Sequence, residues 1–131
     1  MVNDPVGDFI IQLKNASMAG NAHIVLPYSK LKFAVATTLE KNGFIKSVTK
    51  RGKKTRKMIE VELLYIDDGT ARIQSVSRVS KPGKRVYQGV KSIFRIRNGK
   101  GTIVLSTPKG ILTGEEAQKE HVGGEALFQI W

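Results

Sequence analysis

The chain of 131 residues contains no cysteine. A disulfide framework and a thiolate zinc site are therefore excluded; the absence is compatible with a reducing compartment without proving one. Histidine is scarce too, with only His23 and His121. They stand at no metal-ligand spacing, and neither a GxSxG nor an HxE signature occurs. No apolar run approaches the roughly 20 residues that a membrane-spanning helix needs. The opening Met1-Val2-Asn3-Asp4-Pro5 has neither a basic segment nor a long apolar one, and so does not read as a secretory signal. Acidic residues are few, 11 against 22 Lys and Arg, which leaves a net charge of +11 and a pI near 10.1. With 40% hydrophobic and 25% charged residues, the composition is that of a globular chain rather than a disordered tail. A folded domain this basic repels itself, and the usual compensation is a polyanion. Nucleic acid leads; an anionic membrane surface follows, weakened because the cations lie mainly on strand-like segments rather than on one amphipathic helix.

The charge is also segregated. From Gly69 to Gly114 there is no Asp or Glu, while Arg72, Arg78, Lys81, Lys84, Arg85, Lys91, Arg95, Arg97, Lys100 and Lys109 are basic. Such a run is what a binding face for a polyanion looks like in sequence.

The pattern predicts an α+β fold. Asp4-Pro5 opens a helix, Asp at the N-cap and Pro in the first turn, with Val6, Phe9, Ile10, Leu13 and Ala16 on one apolar face and Gly20 as the stop. Lys14 and Asn15 lie on its polar side, either as a solvated surface or as a contact. His23–Pro27 is a short strand. Ser29 caps a second helix with a buried stripe of Leu31, Ala34, Val35 and Thr38 or Leu39, ended by Asn42-Gly43. Lys30 and Lys32 in its first turn oppose the macrodipole; they mark either an anion dock or a tolerated surface. Phe44 to Lys50 and Met58 to Leu64 read as a hairpin with a tip, Lys50–Lys57, that carries six basic residues. Asp67-Asp68-Gly69 is a turn and a seam between subdomains 1–66 and 67–131. Ala71–Val79 alternates as a strand with a break at Val76. Lys81–Lys84 is a turn and Arg85-Val86-Tyr87 a short strand. A lone tyrosine is more often half-buried core than an RNA contact, and both readings stay open for Tyr87. Asn98–Gly101 is a turn that fails the Walker pattern. Thr113-Gly114-Glu115-Glu116 is a capping box whose helix runs to about His121. Gly123-Gly124-Glu125 leads into a closing strand, Ala126–Trp131.

The stretch of greatest chemical interest is Ser106-Thr107-Pro108-Lys109-Gly110, delivered by the apolar strand Thr102–Leu105. Two hydroxyls, a rigid proline, a lysine and a glycine that tolerates φ > 0 let a backbone come close to a phosphate-rich surface. Ser106 and Thr107 could serve as nucleophiles, but no base is identifiable from spacing, so hydrogen bonding is their expected work. An enzyme reading is retained only as a contrast.

Taken in order, several motifs resemble the bacterial family of small-subunit ribosomal protein number eight over the full length. They are Asp4-Pro5 with Lys14-Asn15, Ser29-Lys30-Leu31-Lys32, Asn42-Gly43-Phe44-Ile45, Arg78–Gly83, Arg85-Val86-Tyr87 and Gly99-Lys100-Gly101. The most specific is Ser106–Thr113, followed by Ala117 and Gly123-Gly124-Glu125. The resemblance implies an N-terminal α-β-α-β-β unit and a C-terminal mainly β unit with one short helix. It implies a structural, non-enzymatic protein of the cytoplasmic ribosome with no cofactor. This protein binds an irregular stem in the central domain of 16S rRNA and nucleates the platform of the small subunit. The implied RNA-binding residues are Lys14, Asn15, Ser29, Lys30, Lys32, Arg85, Tyr87, Ser106, Thr107, Pro108, Lys109, Gly110 and Glu125. The implied partners are 16S rRNA, ribosomal proteins number five and twelve and, in the alternative role of a translational repressor, a stem in its own operon mRNA. The chain departs from the family in four places. Many members have serine where Pro108 stands. Many have Asp at the position of Gly114 and arginine near Glu116 or Gln118, so the third helix is less basic here. The Lys50–Lys57 tip and Val90–Asn98 match no family pattern.

Overall fold

Helix α1, Pro5–Ala19, starts where the Asp4 carboxylate accepts the Gly7 N–H at 3.2 Å, satisfying one of the amides that a helix start leaves open. Val6, Phe9, Ile10, Leu13 and Ala16 are all buried. The computed structural model describes residues 4–66, 69–89 and 101–131. Two compact units emerge, one of Asp8–Gln74 and one of Ser75–Trp131 with the N-terminal residues through Gly7. The fold is α+β. In chain order it runs α-β-α-β-β and then mainly β with one short helix.

The unit Asp8–Gln74 holds β1 (His23–Pro27), α2 (Lys30–Lys41), β2 (Ile45–Arg51) and β3 (Met58–Leu63). The strands form an antiparallel sheet in the order β1-β3-β2. β3 alternates as its sequence requires: Ile59, Val61 and Leu63 are buried, while Glu60 and Glu62 reach Arg51 at 3.0 Å and Lys46 at 3.3 Å on the other face. Each fully buried Ile or Leu removes enough apolar surface from water to contribute about 1.5–3 kcal/mol. α2 is capped by Ser29, whose hydroxyl accepts the Lys32 N–H at 3.0 Å. Its buried stripe is Val35, Ala36, Thr38 and Leu39. Leu31, expected in that stripe, is 40% exposed, because it sits in the first turn, ahead of the stretch that covers the core.

The unit Ser75–Trp131 holds β4 (Val76–Arg78), β5 (Tyr87–Gln88), β6 (Thr102–Thr107), β7 (Gly110–Thr113), α3 (Gly114–Lys119) and β8 (Gly124–Ile130). The sheet order is β4-β8-β6-β7, with β5 also pairing β8. Ile103, Leu105, Ala117 and Ala126 form a core against which Leu112, Val122 and Trp131 pack. The capping box of α3 is present: Thr113 Oγ1 accepts the Glu116 N–H at 3.3 Å and Glu116 accepts the Thr113 N–H at 3.0 Å.

All three helices close alike. In α1 and α2 the left-handed residue is Gly20 or Gly43, at φ 77° and 79°. In α3 it is His121, at φ 56°, with Val122 N–H on Ala117 O at 3.0 Å and His121 N–H on Gln118 O at 3.2 Å. This Schellman closure ends the helix at Lys119, two residues short of His121.

Other expectations shift. The strand expected over Ala71–Val79 is confined to Val76–Arg78: Arg72 N–H bonds Leu64 O and Ser75 exchanges two bonds with Trp131, so the backbone partners change along the segment. The expected strand Arg85–Tyr87 is Tyr87–Gln88. Gly69 N–H bonds Ile66 O at 2.8 Å. Asp67, Asp68, the Asn98–Lys100 part of the expected turn, the Val90–Asn98 stretch and the cations Lys91, Arg95, Arg97 and Lys100 lie outside the described residues. Among the described residues no helix is long and apolar enough to cross a membrane.

Candidate nucleic-acid interface

Ser106 and Thr107 are not loop residues. β6 runs through both of them, and the chain reverses over Pro108-Lys109 alone, with Thr107 opposite Gly110. Proline fixes φ near −65° and so excludes the primed turns that two-residue hairpins favour. Gly110, at φ 112°, supplies the left-handed residue the reversal needs. Thr107 Oγ1 locks the turn: it donates to Gly110 O at 2.8 Å and accepts the Lys109 N–H at 3.1 Å. β7, which follows, was not anticipated, since Ile111-Leu112 is too short to signal a strand.

The register builds a row across four strands. Tyr87 stands opposite Glu125, Glu125 opposite Ser106, and Ser106 opposite Ile111. Directly opposed residues share a face, so the tyrosine, the carboxylate and the serine hydroxyl line up at strand spacings of about 4.8 Å. Two glycines allow it. A side chain at Gly124 would drive its Cβ into the Ser106 carbonyl, and one at Gly123 would meet the Gln88 carbonyl.

Tyr87 is 72% exposed, which overturns the core reading: β5 is a two-residue strand that pairs with β8. Glu125 is held by Arg85 at 3.1 Å. Lys109 Nζ reaches Glu120 at 3.0 Å, both groups about half exposed; such a surface pair contributes no more than about 1 kcal/mol and exchanges readily for another anion. The Ser106 hydroxyl has no hydrogen-bond partner among the described residues. Behind the row, buried Ser80 bonds both the N–H and the carbonyl of Val86, at 2.8 and 3.2 Å, and so fixes the strand entry that carries Arg85 and Tyr87.

The remaining predicted residues lie in the other unit. Lys14 is half-buried and Asn15 exposed on α1; Ser29 is spent as N-cap; Lys30 is exposed and Lys32 half-buried. Sequence reasoning missed the side chains around them. Tyr28 and Phe33 flank the cap at ring centroids 6.1 Å apart, an N′-to-N4 staple that their positions relative to Ser29 signal. Lys50 Nζ lies 5.1 Å from the Tyr28 ring and 4.9 Å from the Phe33 ring, and Lys57 Nζ lies 5.8 Å from Tyr28.

Among the described residues no side-chain base hydrogen-bonds Ser106 or Thr107, and no three ligating side chains cluster for a metal. One sheet thus carries an exposed ring, a serine hydroxyl with no partner among the described residues and a half-exposed lysine ammonium, the groups a binding surface uses. The family model described as ribosomal protein S8 matches residues 4–131, and the chain belongs to that family. It is 45% identical over 130 residues to a protein of Chlorobaculum tepidum, covering 99% of this chain and 98% of that one. It is 42% identical over 130 residues to one of Roseiflexus castenholzii, with the same coverage. A Helicobacter pylori protein is 40% identical over 131 residues, all of both chains. All three are named small ribosomal subunit protein uS8.

Proposed function

We propose that this protein is a structural constituent of the small ribosomal subunit in the cytoplasm and binds an irregular stem in the central domain of 16S rRNA. The observation that carries this is the row Tyr87–Glu125–Ser106 beside the locked Thr107–Gly110 turn. A-form RNA hides its base edges in a deep, narrow groove, so sequence is read where a stem is distorted and through 2′-hydroxyls on the shallow side. A short hydroxyl such as Ser106 reaches a ribose or a base edge where a long side chain cannot enter. Tyr87 offers a face for an unstacked base, a contact of about 1–3 kcal/mol. Glu125 accepts from a 2′-OH or an exocyclic amine. Lys109 and Arg85 add salt-dependent attraction to phosphate. Ribosomal proteins number five and twelve are the neighbours that the family resemblance supplies for the assembled subunit.

Binding to the central-domain stem with its internal loop, beside a fully paired control and over a range of salt, tests the reading. Preference for the irregular stem that survives high salt supports it. Equal, steeply salt-dependent binding to both RNAs reduces the protein to a general polyanion binder.

A further inference from the structure

The basic hairpin tip plays no part in the row just described, and it lies on the other unit. Its charges are sorted by face. Lys50 stands opposite Ile59, and Ile59 opposite Leu26; both are buried, so Lys50 leaves the sheet on its buried side, where the half-buried Tyr28 and Phe33 lie. There its ammonium lies over both rings, and Lys57 reaches the Tyr28 ring as well. The Tyr28 N–H donates to Lys57 O at 3.0 Å, which ties the tip's root to the entry of α2. Arg51 points to the opposite face and is neutralised by Glu60 at 3.0 Å. Of the six cations in the tip, Arg51 alone has a carboxylate within ion-pair distance among the described residues.

We propose that Lys50 and Lys57, held by the Tyr28 and Phe33 rings, form a second RNA contact that grips the phosphate backbone without regard to sequence. A lysine ammonium keeps its N–H donors free while its charge rests on a ring face, so the rings fix position without consuming hydrogen bonds. Fixing it lowers the ordering entropy that a free lysine loses when it meets an anion. The like charges crowded into one tip gain most from a partner that is itself a dense line of charge. A protein partner fits less well. Protein interfaces bury an apolar centre and are depleted of lysine, whereas every residue from Arg51 to Lys57 is exposed and none is a large apolar residue. The inference rests on the proposed function only in taking RNA as the occupant.

Three double variants of the full chain test it, on plain duplex RNA and on an internal-loop stem, at salt from about 50 to 200 mM. K50Q/K57Q removes both held charges. It is expected to weaken both RNAs alike, about tenfold, and to lower the salt slope by about two. K50R/K57R keeps charge over the rings and should bind within about twofold of the parent. K53Q/K54Q removes two charges with no ring beneath them and should lose less than K50Q/K57Q. Melting curves accompany each variant; should K50Q/K57Q melt early, the single variants K50Q and K57Q are each expected to lower the slope by about one. Parental affinity and slope in folded K50Q/K57Q overturn the inference. So does loss of binding to polyglutamate with RNA binding intact, which would make the occupant an acidic protein. A parent protein that binds neither RNA sinks the proposed function instead.

Discussion

Ser106 stands directly across from Glu125 in the β6–β8 ladder, and its hydroxyl has no partner among the described residues, while the hydroxyl one residue on, Thr107, both donates and accepts. Two adjacent hydroxyls of similar chemistry thus have different work.

That difference separates two alanine variants. Ser106→Ala removes no bond among the described residues and should leave stability within about 0.5 kcal/mol. It should still lose about fivefold to thirtyfold in preference for the irregular stem over duplex, equivalent to one hydrogen bond. Thr107→Ala breaks the turn's two bonds and should cost about 1–2 kcal/mol of folding stability as well. Urea denaturation beside paired binding assays checks both; equal stability losses would contradict the assignment.

Gly124 has no room for a methyl group, since a Cβ would strike the Ser106 carbonyl. Gly124→Ala forces β6 and β8 apart at the row and should cost about 1–3 kcal/mol. Thermal unfolding measures this, and a neutral result would mean the strands separate freely there.

Tyr87, largely exposed, can be changed with little effect on folding. Tyr87→Ala should lose about 1–3 kcal/mol of binding to a stem with an unstacked base, and Tyr87→Phe should retain most of it. Loss in both would assign the contact to the phenol hydroxyl rather than the ring.

His121 closes α3 at φ 56°, a conformation that costs a side-chain-bearing residue energy. His121→Gly relieves this at the expense of a more flexible unfolded chain, and should stabilise the protein by about 0.5–1 kcal/mol in denaturant unfolding. Destabilisation would show that the imidazole makes a contribution of its own.

Elements with strong local signals were legible in the sequence. The N-cap at Asp4, the Ser29 cap, the Gly20 and Gly43 stops, the Thr113–Glu116 capping box and the alternation of β3 each depend on a few neighbouring residues. What was not legible depends on pairing at a distance. Ala71–Val79 alternates well enough for a long strand, yet its backbone bonds go first to Leu64 and then to Trp131. Ile111-Leu112 gives no strand signal of its own and becomes β7 only because β6 lies beside it. The site shows the same division. Ser106, Thr107 and Glu125 could be named from their motifs, but the row that aligns them with Tyr87 is a property of register. The cluster of Lys50 and Lys57 on Tyr28 and Phe33 brings together residues from three segments, and only the staple spacing around Ser29 hinted at it.

The turn at Pro108-Lys109 is already closed by the Thr107 hydroxyl in the protein alone. Under the proposed function it therefore acts as a mould with little left to rearrange on docking. The adjustment falls to the nucleic acid, whose internal loop must take up the shape the turn presents. The speed of encounter would then follow how often the stem visits that shape, so a stem locked into it by chemical cross-linking should associate faster with the unchanged protein.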